Sequence, residues 1–421
     1  MSFPYNTVMK IFKFGGASVK DAAGVRNLAD IVRTQAQRAV IVVSAMGKTT
    51  NALERIVRAY VDQRPTDLKS ELRALRTYHE TIMSELAGDF SAVEQTMACL
   101  ENLLTQAPTA PFDETYDQIV SLGEVISTQI VSAYLIHTGI PTRWADARLL
   151  IRTDALFREG RIQWEETNRL ITEGISVNLV TVTQGFIGQT AEGRNTTLGR
   201  EGSDYTAAIF AYCLNAESVT IWKDVPGVLN ADPKWFDDTV LLEKLTYQDA
   251  IELAYYGATV IHPKTIKPLQ NKGIPLYVRS FVQPDARGTV IGNFEQHLSI
   301  PSFIFKINQV LISLHPNDFS FIAEDNLSRI FGRFAQMGIK INLMQNTAIS
   351  FSVVVDNNSD RVPDLLAQLK HDFRVSYNDG LELVTIRYYD QATIDRVLVG
   401  KKLLLEQKSR YTVQLVVGSI A

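Results

Sequence analysis

Five short runs in the first 300 residues constrain the fold most: VMKIFKF (8–14), AVIVVSA (39–45), NLVTVTQGF (178–186), SVTIWKD (218–224) and PLYVRS (275–280). Each is nearly continuous in apolar residues rather than alternating, which is how a strand reads when both of its faces are covered. Helical stretches lie between them. In residues 72–86, Leu72, Leu75, Ile82 and Leu86 follow a 3.6-residue period with charged residues opposite. Strands alternating with helices imply an α/β domain built on a parallel sheet with helices on both faces. Such sheets bind ligands just beyond the carboxyl ends of their strands. KFGGASV, SAMGKTTN, TQGFIGQ and KDVPGVLN all fall there.

The pattern changes near residue 295. FIFKINQVLISL (303–314) reads as a strand, NLSRIFGRFAQMG as a helix, and IKINLM and ISFSVVV as strands. PDLLAQLKHD is a helix, LELVTIRYY a strand, then another helix precedes the strand TVQLVVG. This β-α-β-β-α-β order of short elements predicts a small α+β sandwich, in two copies. The expected division is 1–295 and 303–421, with a hinge at GNFEQHLSIPS (292–302).

Composition narrows the function. A net charge of -4 argues against a nucleic-acid binder. Cys99 and Cys213 are too few for a disulfide framework or a zinc site, and no metal-ligand cluster is expected. No run approaches eighteen consecutive apolar residues, and MSFPYNTVMK lacks the apolar core of a signal peptide, so neither a membrane span nor secretion is expected. The expectation is a cytoplasmic enzyme or sensor.

Four loops carry the chemistry. SAMGKTT ends like a P-loop, but the glycine needed five residues before Gly47 is Val42, inside a strand run, so the loop offers only hydroxyls, Ser44 and Thr50. In KFGGASV, Gly15 and Gly16 let backbone N–H groups approach an anion, and Lys13 reaches over the same place. On spacing alone that stretch fits a phosphate cradle or a plain strand-to-helix turn equally well. In TTLGREGSDYTAA (196–208), a helix cap accounts for Ser203 and Asp204 but not for Arg200, a residue suited to bidentate carboxylate binding. IWKDVPGVLNADPK (221–234) places Lys223 and Asp224 at a strand end, while Asp232-Pro233 reads as turn chemistry. His79 lies on the apolar stripe of its helix and reads as a packed residue; His262, in VIHPKT, reads as part of a turn.

KFGGASV, SAMGKTTN, SLGEVIST, TQGFIGQ…TTLGREGSDYTAA, WKDVPGV…ADPK and GATVIHPKT occur in this order across nearly the whole chain. Together they resemble the aspartate kinases of the amino-acid-kinase superfamily with C-terminal ACT domains. The resemblance implies a three-layer fold with a mainly parallel sheet, followed by ferredoxin-like ACT domains, the second shortened from Leu381 onward. It implies phosphorylation of the L-aspartate side chain by ATP with Mg²⁺, the first step toward lysine, threonine and methionine. Lys13, Gly15, Gly16 and Ser18 would hold the phosphates, with Lys13 also stabilising the transferred group. Glu124 would meet the α-ammonium of aspartate, and Arg200 would clamp a carboxylate with help from Thr50 and Ser203. Asp204 would orient the lysines or the amino group. Lys223, Asp224, Leu229 and Lys234 would serve the nucleotide.

The sequence also departs from the family pattern. Ala17 stands where Thr is common, Leu229 and Lys234 where Tyr and Arg are frequent, Thr259 where Lys is frequent, and Asn342 where Asp is frequent. With Gln345 and Asn346, Asn342 is similar to family positions that bind an amino-acid effector, lysine or threonine. The resemblance further implies a homodimer through the ACT region. Because the sequence ends at 421, a kinase without a fused homoserine dehydrogenase is expected. The competing readings are a kinase for glutamate or acetylglutamate, and a non-catalytic amino-acid sensor on a degenerate kinase domain.

Overall fold

The computed structural model describes residues 9–36, 38–176, 178–258, 261–295, 300–317, 321–358 and 360–420. Thr259 and part of the 292–302 hinge lie outside them. The chain forms two compact units. The first comprises Met1–Val228, Leu241–Ile251 and Val260–His297; the second comprises Leu229–Val240, Glu252–Thr259 and Leu298–Ala421. The second unit thus draws two segments from within the span that the sequence assigns to the first domain.

The first unit contains β1 (Lys10–Phe14), β2 (Ala39–Val43), β3 (Thr142–Ala145), β4 (Val180–Gln184), β5 (Ile187–Gln189), β6 (Asn195–Thr197), β7 (Ser218–Lys223), β8 (Lys244–Thr246), β9 (Leu276–Ser280) and β10 (Thr289–Gly292). Eight strands form one sheet in the order β3-β4-β2-β1-β7-β9-β10-β8, and β5 pairs with β6. Every pair in the large sheet is parallel except β9–β10. The five apolar runs are its five consecutive central strands. All of β2 is buried, and Phe14 on β1 stacks on Trp222 of β7, with ring centroids 6.1 Å apart. In this register Phe14 lies beside Val43 and Trp222, and Val43 beside Gln184. The loops after β1, β2, β4 and β7 therefore emerge side by side at one edge.

The helix Phe112–His137 runs through this core. Length and composition alone would let it cross a membrane, but most of it is buried inside the unit. Asp117, Gln118, Ser121, Glu124, Ser127, Thr128 and Gln129 interrupt its apolar residues, so the sequence shows no continuous apolar stretch of eighteen residues. Asp117, Ser121, Glu124 and Thr128 are spaced by four, three and four residues, so they share one face, and all four are buried. Thr128 Oγ1 accepts hydrogen bonds from Gln184 Nε2 at 2.7 Å and Trp144 Nε1 at 3.0 Å. Ser127 Oγ donates to the Ser44 carbonyl at 2.7 Å. This polar stripe fastens the helix to the strand ends beside it.

The second unit is a six-stranded antiparallel sheet of β11 (Ser302–Pro316), β12 (Ile341–Asn346), β13 (Phe351–Asp356), β14 (Phe373–Arg387), β15 (Lys401–Lys408) and β16 (Thr412–Ser419). Their order is β12-β13-β11-β14-β16-β15. β11, the helix Glu324–Gln336, β12, β13, the helix Val362–Leu369 and β14 give the expected β-α-β-β-α-β order. The second copy is not independent. Ser302–Lys306 of β11 pairs with Leu383–Arg387 of β14, while the remainder of both strands serves the first copy. Among the described residues one helix, Gln391–Leu398, follows β14 in this half. Phe236, from the segment Leu229–Val240, packs 4.8 Å from Phe303 and 5.7 Å from Phe305, which ties that segment to the second unit.

The stripe can be tested by removing one hydroxyl. Thr128→Val keeps the shape but strands the fully buried Gln184 amide, so it should cost about 1–3 kcal/mol in denaturant unfolding. Thr172→Val, on an exposed helical face, should stay within about 0.5 kcal/mol. Equal midpoints for the two variants would disprove the fastening role.

Candidate active site

The carboxyl end of the sheet collects charge around one carboxylate. Lys13 projects from β1 and Lys223 ends the adjacent strand β7. Lys13 Nζ lies 2.6 Å from Asp204 Oδ1, and Lys223 Nζ lies 3.5 Å from Asp204 Oδ2. Asp204 sits in the first turn of the helix Gly202–Leu214 and is 1% exposed. Burial alone would raise its pKa, but the two ammonium groups outweigh it and hold the carboxyl below its ordinary value. Glu201, which precedes the helix in the left-handed region (φ +56), lies 3.8 Å from Lys223. Burial raises its pKa, Lys223 opposes the shift, and neighbouring Asp204 adds to it. Two cations from the sheet thus meet the positive end of a helix, an arrangement suited to an anion carrying several charges.

These groups line a cavity of about 930 Å³. β1 and its turn contribute Lys13 and Gly16, the loop after β2 leads to Thr50, and the buried helix contributes Glu124. The segment after β6 contributes Arg200, Ser203 and Asp204, and β7 contributes Lys223. Gly16 is required by close approach: a Cβ there would collide with the Ala45 carbonyl oxygen. Its own carbonyl accepts from the Gly47 N–H at 2.9 Å, so the glycine turn nests against the loop after β2. Ala17 also lines the cavity, so a threonine hydroxyl at that position would face it.

The other expected site residues are not among those lining this cavity. A Cβ on Gly15 would stand 3.6 Å from Lys13 Nζ. Ser18 is buried, its N–H closing the turn onto the Gly15 carbonyl at 3.0 Å, and it does not line the cavity. Asp224 is exposed just beyond the end of β7. Leu229 and Lys234 belong to the second unit, where the Lys234 N–H donates to Asp232 in a local turn. Asn342 accepts from Lys306 Nζ at 2.8 Å and donates to Gln309 and Asp356, while Gln345 and Asn346 are exposed on the edge strand β12. His79 is fully buried, with Nδ1 2.8 Å from the Leu75 carbonyl, and His262 caps the helix Pro263–Lys272.

Glu124 is the most unusual group. Taken alone in the sequence it fits a helix surface; in the fold it is 3% exposed. Its Oε2 has no hydrogen-bond partner among the described residues. Burial pushes its pKa up to about 8, against the pull of Lys13 and the Ala45 backbone. A buried carboxylate with an unpaired oxygen, facing a cavity, matches an ammonium group on a ligand.

Sequence reasoning missed Asp117, Glu201 and Arg158. The N–H of Arg158 donates to Asp117, and its guanidinium lies over the Tyr116 ring, 4.5 Å from the centroid. Asp117 had a readable signal: it lies two helical turns before Glu124 on the same helix, with Ser121 between them on that face. Arg158 had none, because its place depends on the path of an irregular loop.

The shifted Glu124 carboxyl predicts a pH dependence. The folded protein holds this proton to about pH 8, whereas the unfolded chain releases it near the ordinary 4.5. Between those values the folded state binds more protons, so stability contributed by this group falls as pH rises through the window. Ligand-free Glu124→Gln, permanently neutral, should show a flatter profile from about pH 4.5 to 8 in denaturant titrations. Parallel profiles for variant and wild type would refute the buried, protonated state.

Known proteins resemble this chain in sequence and in fold. Residues 9–280 match the model of the amino acid kinase family. Lysine-sensitive aspartokinase 3 of Escherichia coli is 30% identical over 390 residues, covering 89% of this chain and 86% of that protein. The crystal structure of E. coli aspartokinase III with aspartate and ADP, described as the R-state, superposes with a TM-score of 0.82 at 28% identity, covering 97% of this chain and 96% of that one. The complex of the same enzyme with lysine and aspartate, described as the T-state, gives the same TM-score and identity over 97% and 95%. With its mainly parallel sheet, its family match over residues 9–280 and an E. coli aspartokinase matched over 86% of its length, the chain belongs to the amino acid kinase family, among the aspartokinases.

Proposed function

We propose that the cavity of the first unit binds L-aspartate and MgATP, and that its residues divide the reaction as follows. The chain is an aspartate kinase, transferring a phosphoryl group from ATP to the aspartate side-chain carboxylate to give 4-phospho-L-aspartate. The observation that carries the assignment of roles is the convergence of Lys13 and Lys223 on Asp204 at a helix N-terminus. Phosphoryl transfer depends on positioning and charge neutralisation, and two pre-oriented ammonium groups supply both without reorganising during the reaction. The nucleophile is a carboxylate with a reference pKa of about 4, so it is already ionised and needs no general base. Asp204 holds the lysines in place. Glu124 receives the α-ammonium of the substrate, and Arg200, exposed and without an ion pair among the described residues, clamps a carboxylate. Thr50 and Ser203 contribute hydrogen bonds.

Mg²⁺ fits as an ion carried by the nucleotide phosphates. Among the described residues no group of three or more His, Cys, Asp or Glu side chains is placed to hold a metal, and magnesium commonly binds through substrate phosphates with one or two carboxylates. The second unit is the seat of an amino-acid effector and of a homodimer contact in this reading. Lysine is favoured as effector because the E. coli relative is named lysine-sensitive and has a structure with lysine. A non-catalytic sensor would have no use for lysines aimed at a phosphoryl group.

One assay tests the assignment. With MgATP and aspartate, acyl phosphate trapped as hydroxamate should accumulate, with glutamate and acetylglutamate giving little. Signal from glutamate alone, or from no substrate, would overturn it; adding lysine or threonine tests the effector. Lys13→Ala should lower kcat by about a hundredfold or more with the fold retained by circular dichroism. Arg200→Ala should chiefly raise the aspartate KM, by about tenfold. An unchanged aspartate KM would show that the carboxylate is held elsewhere.

A further inference from the structure

The cavity presents two guanidinium-bearing segments, and one buried carboxylate joins them. Asp117 is 0% exposed and accepts three hydrogen bonds. Its Oδ2 takes the Arg158 N–H at 2.8 Å and the Thr197 N–H at 2.9 Å, while its Oδ1 takes the Thr197 hydroxyl at 2.8 Å. Arg158 belongs to the loop between the short helix Ala147–Leu150 and the helix Trp164–Gly174. Thr197 ends β6, and Arg200 follows three residues later. The same two segments also meet through the Gly160 N–H on the Thr197 carbonyl, 2.8 Å, and the Thr153 and Thr196 hydroxyls, 2.7 Å apart.

We propose that Asp117 is a positioning residue for substrate binding, setting the separation of Arg158 and Arg200 across the aspartate end of the cavity by tying both backbones to the long helix. The proposal rests on the reading of this cavity as the aspartate site and deepens it. Three features go beyond ordinary core satisfaction. All three donors are uncharged and, among the described residues, no lysine lies at hydrogen-bond distance; the Arg158 charge eases the cost but burial outweighs it, so the helix bears the desolvation of a carboxylate that a neutral side chain would avoid. The two segments it holds both line the cavity, whereas its own side chain does not. Finally, Asp117 and Glu124 lie two turns apart on one rigid helix, which gives the ammonium partner and the guanidinium groups a common frame. An error of about 1 Å in such a frame weakens binding of a small, doubly charged ligand far more than binding of a nucleotide held elsewhere in the site.

The conservative variant separates this role from simple stability. In Asp117→Asn the amide oxygen replaces Oδ2 for the two backbone donors, and the Thr197 hydroxyl can rotate to accept from the amide NH₂. The two segments therefore stay joined. Asp117→Ala releases them. Aspartate and ATP KM, kcat and Tm would be measured for wild type, both variants and Thr197→Val, which removes the hydroxyl donor alone. Asp117→Ala should raise the aspartate KM by about tenfold, with ATP KM and kcat within about threefold, and Asp117→Asn should restore the aspartate KM to within about threefold of wild type. If Asp117→Ala does not fold, Thr197→Val carries the test, with an expected rise of about fivefold or more in the aspartate KM alone. A lower Tm with unchanged aspartate KM, or an equal rise in both KM values, would overturn the proposal. Wild-type protein that fails to turn over aspartate would instead overturn the reading of the cavity on which it rests.

Discussion

The site depends on one ion cluster. Two ammonium groups on neighbouring parallel strands repel, and neither would stay at the carboxyl end of the sheet without a compensating charge. Asp204 provides it from the first turn of the helix Gly202–Leu214, contacting Lys13 and Lys223 through different oxygens. Glu201, 3.8 Å from Lys223, brings a second carboxyl to the cluster, so two lysines face two acids and both ammonium groups are held in place. The helix N-terminus adds positive character at the same point. Removing one partner would leave a buried charge uncompensated, which costs more than the pair contributes. The cluster is therefore both a structural and a chemical constraint.

Much of the fold was legible because parallel strands covered on both faces must be apolar almost throughout. The runs containing Lys10–Phe14, Ala39–Val43, Val180–Gln184, Ser218–Lys223 and Leu276–Ser280 satisfy that rule and occupy the sheet centre. The flanking strands β3, β8 and β10 have only three or four residues each, too few to show a period. β15, KKLLLEQK, was missed for another reason: it is an edge strand, and its charged residues suit an edge while disguising a strand. The long strands β11 and β14 each serve two half-sheets. Their polar middle segments are where the β11–β14 register shifts, between Lys306 and Leu311, and that irregularity hides each long strand from a reading of local composition.

Legibility of the site followed a similar division. Lys13, Gly16, Arg200, Ser203, Asp204 and Lys223 sit in or beside the glycine loops at strand ends, where topology alone draws attention. Glu124 came through resemblance, since on its own its helix position carried no sign of burial. Arg158, on an irregular loop, and Glu201, in a strained left-handed cap, required the backbone path itself. Leu229 and Lys234 show the opposite limit. Their motif lies next to Lys223 in sequence, but Phe236 packs on Phe303 and Phe305, so the segment belongs to the second unit.

Glu124 and Asp204 show how one site keeps two buried carboxyls in opposite states. Both are almost completely removed from water. Asp204 has two ammonium groups at close range and stays ionised; Glu124 has Lys13 only as a weaker influence, and burial dominates. The difference gives each a distinct use. Asp204 is already paired, so its charge is committed to holding the lysines. Glu124 is unpaired on one oxygen, so a substrate ammonium arriving there supplies the partner that burial denies it. In that pairing the carboxyl would shed its proton, so binding of an amino acid through its α-ammonium is coupled to proton release near neutral pH. A ligand lacking the ammonium would gain nothing from that step, so under the proposed function Glu124 would discriminate for amino acids as well as contact them.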